Sequence, residues 1–291
     1  MKNYIVRLDS AYENYDAWYK AFVSNNKTND YLYMDPDNSS VLLYRDLACF
    51  LNKREEQVEG LNGVFSYELS FDPFGIKVTD DKKDIWFLKS DQLGFSAIGG
   101  IYQAYIEKAP DREEALRQVS QCIFVSRSLG GSFLWPMDKK EDGGWISNPQ
   151  YNKTRGKKPI QDRVDMTLLD IRNCFFETKG SWLFQQYNNR PYMKKWMDHF
   201  RDHEGEPSRE PESWFEKYIE YFCFDSFVSK QKPRYPKDLL KEESTIKDFW
   251  NSQHKTSLCA YDYKEIETIF SNLKDWITDR SDAMEKIINL P

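Results

Sequence analysis

The stretch NKTRGKKPIQDRVDMTLLDIR, from Asn152 to Arg172, holds the densest set of side chains in this sequence that could do chemistry. Asn152, Arg155, Gly156, Lys157 and Lys158 precede a helix start marked by Pro159. A helix N-terminus offers unpaired N–H groups and partial positive charge. Arginine and lysine beside it, with a glycine that lets the backbone approach closely, make a candidate anion site for a phosphate or a carboxylate. Asp162, in the first turn, could instead satisfy that positive end and leave the basic residues as a solvated loop. Asp162 and Asp165 stand three apart on the expected helix. With help from another segment they could share a divalent cation such as Mg²⁺ or supply a general base, so they are the candidate catalytic residues. Asp225, inside the apolar run YFCFDSFV, is a candidate third carboxylate, because an acid in such a run is expected to be paired or functional.

Ile160, Val164, Leu168, Ile171 and Phe175 recur at helical spacing and form an apolar stripe. Around that stripe the wheel puts Arg163 and Thr167 on one edge, and Asp165 and Arg172 on the other. Charges at stripe edges are either joined in an Arg–Asp clamp or open on a cleft. The candidate ligand-binding set is therefore Asn152, Arg155, Gly156, Lys157, Lys158, Arg163, Thr167 and Arg172. No metal ligand is assigned. His199 and His203 lie four apart and could face one metal, but no glutamate follows the first of them, and a polar helix end accounts for them as well. The glycine pairs at 99–100, 130–131 and 143–144 lack the spacing of phosphate loops, and no G-x-S-x-G occurs.

The elements that must position these residues read as an α+β fold, with a small sheet around residues 64–135 and a mainly helical second half. Helices are expected over 41–52, 111–121, from Pro159 to Phe175, over 181–200 and over 212–229, with two more in the last 30 residues. Val64–Phe71 and Ile85–Leu88 read as strands, Ile123–Val125 as a further one, and Gly130–Pro136 as a glycine turn, an apolar run and a proline stop. Residues 137–158 and 230–237 read as loops or linkers within a single globular domain, 1–291.

With 40 % hydrophobic and 16 % aromatic residues the chain can bury a substantial core, and its net charge of −6 gives no overall attraction to nucleic acid or anionic membrane. No apolar run is long enough to span a bilayer, and the N-terminal residues lack the apolar core of a signal peptide. The five cysteines are widely spaced without C-x-x-C, as expected of free thiols in a reducing cytoplasm.

Several of these features run in an order that resembles a bacterial family of proteins of unknown function. They are Asp35-Pro36-Asp37, Gly130-Gly131 with Phe133 and Pro136, Asn152-x-x-Arg155-Gly156, Ile160-x-Asp162-Arg163-x-Asp165-x-Thr167-Leu168 with Ile171-Arg172, and the aromatic run ending near Asp225. The resemblance covers roughly residues 35–229. It implies a functional cluster at Asn152, Arg155, Asp162, Arg163 and Asp165 without implying a reaction. Three functions stay open: a protein that binds or processes a phosphate-bearing ligand, a nucleotide or nucleic acid; a non-enzymatic protein-interaction module with the cluster as clamp; and a metal-dependent hydrolase or nuclease of a defence or toxin type.

Overall fold

The computed structural model describes residues 15–25, 40–93, 100–146, 163–187, 189–202, 210–241, 244–247 and 260–290. Its first half carries α1 (Tyr15–Asn25), α2 (Val41–Gln57), β1 (Ser66–Phe71), β2 (Phe74–Thr79), β3 (Ile85–Gln92), α3 (Gly100–Lys108), α4 (Arg112–Ser126) and β4 (Ser132–Pro136). The small strands β5 (Asp138–Lys139) and β6 (Trp145–Ile146) follow, then the helices α5 (Val164–Phe175), α6 (Trp182–Tyr187), α7 (Pro191–Asp198), α8 (Pro211–Tyr221) and α9 (Tyr263–Ile288). This is the expected α+β arrangement, with helices dominating the second half. No helix among the described residues is long and apolar enough to cross a membrane.

Strands β1 to β4 form one antiparallel sheet in chain order. The outer edge of β1 is partly closed by α2. Asn52 donates from Nδ2 to the Tyr67 carbonyl at 2.8 Å and accepts from the Tyr67 N–H at 3.0 Å, as a neighbouring strand would. Every residue of β4 is buried, as a run between a glycine turn and a proline stop predicts.

Capping residues set the helix starts. Ser40 accepts from Leu43 N–H, and Asp111 from the N–H groups of Glu113 and Glu114. Asp262 and Glu265 form a reciprocal capping box at the start of α9. From there Ile266, Ile269, Phe270, Leu273, Trp276, Ile277 and Met284 turn one buried face onto α2, α4 and the 3₁₀ turn Leu129–Gly131.

Several expectations need correction. Ile123–Val125 belongs to α4, because these residues continue the buried face of Ala115 and Val119 at helical spacing. The helix expected over 181–200 is two helices, since Pro191 starts a new one and cannot sit inside a continuous one. The helix expected over 212–229 stops at Tyr221, and Cys223 takes a left-handed φ of 55°. The last residues form one helix of 26 residues in place of two. The loop expected over 137–158 contains the β5–β6 hairpin.

Two arginines explain where α8 ends. Its last carbonyls lack helical partners. Arg54 donates to the carbonyls of Glu220 and Tyr221, and Arg280 to that of Phe222. Arg280 also donates from Nη1 to the Gly130 and Ser132 carbonyls at 2.8 and 2.7 Å, with its guanidinium 3.9 Å from the Phe224 ring centre. Among the described residues no carboxylate pairs with it, and burial pulls its pKa down to about 10.

The 3₁₀ turn leaves no room for a side chain at either glycine. A Cβ on Gly131 would lie 2.0 Å from the Ser126 carbonyl oxygen, and one on Gly130 2.4 Å from that of Ile277. Overpacking of this kind costs about 1–3 kcal/mol. Gly131→Ala should therefore lower the midpoint of urea unfolding with an unchanged slope; an unchanged midpoint would mean that the turn can yield.

Candidate functional site

The described part of the motif begins at Arg163. Asn152, Arg155, Gly156, Lys157, Lys158 and Asp162 lie outside the described residues, as do Asp35-Pro36-Asp37, Ile160 and His203. Arg163 caps α5 with a non-helical backbone at φ −119° and ψ 73°, so it does not share the wheel position with Thr167 that the periodicity suggests. Its side chain folds over onto Asp165. Arg163 Nε lies 2.9 Å from Asp165 Oδ1 and Nη2 2.7 Å from Oδ2, a bidentate pair with both side chains fully buried.

Asp165 has further donors. Oδ1 accepts from Met166 N–H at 2.9 Å and Oδ2 from Leu239 N–H at 3.0 Å. With two donors on each oxygen, the carboxylate's hydrogen-bonding capacity is filled from within the protein. Arg163 Nη1 donates to the Tyr261 hydroxyl, and Asp238 lies 3.9 Å from Nη2. The cluster thus ties the start of α5 to the turn at Asp238–Leu239 and to Tyr261, directly before the capping box of α9. Burial would lower the pKa of Arg163, but the charge of Asp165 more than reverses this. Burial also pushes the Tyr261 hydroxyl up to about 12.

Helix α5 is buried on nearly every side. The expected stripe residues Val164, Leu168, Ile171 and Phe175 lie in the main core, while Met166 and Leu169 pack with Ile246. Its polar side chains must therefore find partners inside the protein. Arg172 lies between the rings of Phe176 and Tyr235, 4.1 and 4.0 Å from their centres, and donates from Nε to the Arg234 carbonyl. Asp170 accepts from the N–H groups of Trp182 and Leu183, capping the start of α6. Thr167 lines a cavity of about 10 Å³ with Asp91, Gln92, Leu93, Phe133, Trp135 and Val164, room for one water molecule. Asp225 stands apart from the clamp, 68 % exposed and 2.8 Å from Arg234. Among the described residues no group of three acidic, histidine or cysteine side chains could hold a metal ion.

One polar cluster has no clear signal in the sequence. Glu55 Oε1 lies 2.8 Å from Tyr67 Oη, 2.6 Å from Tyr221 Oη and 2.8 Å from His199 Nε2. His199 Nδ1 faces the Asn62 carbonyl at 3.1 Å, and its ring stacks on Phe65 with centres 4.0 Å apart. Both ring nitrogens face acceptors, which leaves neither for a metal. In sequence Glu55 is one charge among several in KREEQ, and only the packing of α2 against β1 and α8 brings its partners together. Burial pushes the Glu55 carboxyl up. The hydrogen bond and charge of His199, with hydrogen bonds from Tyr221 and Tyr67, outweigh it and hold the carboxyl below its usual range. A carboxyl lowered by folding contributes stability above its unfolded pKa of about 4.3, and that contribution is lost as pH falls through the folded value. Glu55→Gln should therefore be less stable at neutral pH and lose less of its Tm between about pH 5 and about pH 3 than the parent chain. Parallel acid limbs would show that Glu55 does not titrate differently on folding.

Comparison with known proteins places this chain in a family. A model described as "Family of unknown function (DUF6994)" matches residues 20–281, which include the clamp, the Glu55 cluster and all of the sheet. No curated protein and no solved structure matches the chain. With nearly its whole length matched, the chain belongs to the family of unknown function DUF6994.

Proposed function

We propose that this protein is a non-catalytic interaction module in which Arg163 and Asp165 form an internal clamp. One observation carries the reading: the pair is bidentate, fully buried, and leaves no oxygen of Asp165 for a metal ion or a transferred proton. Arg172 and Asp170 serve the same end, holding α5 to its neighbours. We read the chain as one domain, supported by a main core that runs from Trp18 to Met284. A bacterial, cytoplasmic setting accords with the family resemblance and with the free thiols Cys49, Cys122, Cys174 and Cys223. Phe71, the last residue of β1, and Val64, shortly before that strand, are 70 % and 69 % exposed and are the candidate contacts for a protein partner.

A second reading keeps the clamp and gives it a use. Arg155, Lys157 and Lys158 lie shortly before Arg163, so the clamp anchors the chain where that basic stretch ends. In this reading Asn152, Arg155, Gly156, Lys157 and Lys158 hold a phosphate-bearing ligand such as a nucleotide or nucleic acid, and Asp162 is the acid left to act on it, with or without Mg²⁺.

Breaking one side of a buried ion pair costs about 3–5 kcal/mol. Arg163→Ala and Asp165→Ala should each destabilise the chain by that order in urea unfolding, and Arg163→Met with Asp165→Leu should lose far less than the two single losses together. Strictly additive losses would refute the clamp. Thermal shift with nucleotides and short RNA separates the two readings. No shift supports the interaction module. A shift that disappears in an Arg155→Ala, Lys157→Ala, Lys158→Ala variant overturns it in favour of ligand binding.

A further inference from the structure

Helices α1 and α4 run in opposite directions and are joined at one end. The Tyr15 hydroxyl lies 2.8 Å from Ser120 Oγ, Trp18 Nε1 donates to the Ser120 carbonyl at 3.3 Å, and both rings pack on Phe124. Toward the other end, where α1 finishes and α4 starts, an open groove of about 600 Å³ lies between them. Small-molecule clefts have roughly 300–1,000 Å³. Tyr19, Lys20 and Val23 line it from α1, and Arg112, Glu113 and Leu116 from α4. Tyr19 and Leu116 are half-buried and Val23 is 36 % exposed, so the apolar walls are open to a ligand. The charges beside them are unequal. Arg117 takes both Glu113 at 3.7 Å and Glu114 at 3.4 Å. Arg112 and Lys20 are exposed cations that join no ion pair among the described residues.

We propose that this groove binds a small amphipathic anion, a carboxylic acid with an apolar body. The body lies on Tyr19, Val23 and Leu116, and Lys20 and Arg112 take the carboxylate. An apolar wall with two unpaired cations beside it disfavours a cationic ligand, and a neutral one leaves both charges unused. Size argues against a docked helix: the walls span one turn of each helix, short of the anchors at i, i+3, i+4 and i+7 that such a partner needs. The start of α4 does not hold the anion, because Asp111 already accepts from the N–H groups of Glu113 and Glu114. The walls are set before a ligand arrives. The Tyr19 ring stacks on that of Tyr15, 5.9 Å between centres, and Tyr15 is tied to Ser120 and packed on Phe124. Walls fixed in this way lower the ordering cost of binding. The groove shares no residue with the Arg163 clamp and does not depend on the reading given to it.

The test is isothermal titration of the full chain with decanoate, naphthoate, acetate and decyltrimethylammonium, each below its aggregation concentration. Decanoate or naphthoate should bind saturably, one per chain. Acetate, a head without a body, and decyltrimethylammonium, a similar body with the opposite charge, should not. Tighter binding of decanoate assigns the groove to aliphatic acids, and tighter binding of naphthoate to aromatic ones. Lys20→Gln with Arg112→Gln should weaken binding at least about tenfold and leave Tm unchanged, since both side chains are exposed. Leu116→Glu puts a carboxylate among the walls and should abolish binding; if that variant does not fold, the double glutamine variant still decides. The proposal fails if neither acid saturates, if decyltrimethylammonium binds as well as decanoate, or if the variants bind as the parent chain does. It also fails if light scattering finds a dimer that Leu116→Glu turns into a monomer, because a second copy then covers the groove.

Discussion

A guanidinium group keeps its charge wherever it is placed, and much of this protein is arranged to meet that demand at buried positions. Arg54 and Arg280 end α8 by taking its last carbonyls, and Arg280 at the same time reaches the turn before β4. Arg163 takes both oxygens of Asp165 and the hydroxyl of Tyr261, fixing the start of α5 against the start of α9. Arg172 joins α5 to the segment around Arg234. These contacts run between elements distant in sequence, so each one fixes a relative position that hydrophobic packing alone leaves free to slide.

Helix α5 shows the same constraint from the other side. An amphipathic helix on a protein surface can send its polar residues to water. Here both the main core and the smaller Met166–Leu169–Ile246 cluster cover the helix, and water is excluded from all but a small part of it. Asp165, Asp170 and Arg172 then become joints: a bidentate pair, a cap for the following helix, and a cation between two rings. The Glu55 cluster does the same between α2, β1 and α8, with a carboxylate as the hub.

Much of the local structure is legible in the residues. Ser40, Asp111 and the Asp262–Glu265 box mark helix starts because their side chains reach N–H groups only a few residues away. The run from Gly130 to Pro136 announces a turn and a short buried strand for equally local reasons. Ile123–Val125 is misread because three apolar residues in a row fit either a strand or the buried face of a helix, and only the wider spacing from Ala115 decides. The break before Pro191 is a local signal that the longer apolar pattern over 181–200 conceals.

The sequence by itself determined the fold class, most helix starts, the apolar stripe of α5 and the motif around Arg163 and Asp165, since all of these depend on spacings within a few turns of chain. Tertiary structure alone decided where the charges of Arg163 and Asp165 go. The periodicity placed Arg163 and Asp165 on opposite edges of a helix, with a clamp the common outcome of such a placement and a cleft the rarer one. Whether a charge at such an edge meets water or a partner depends on what packs over it, and Leu239, Asp238 and Tyr261 come from more than seventy residues away along the chain.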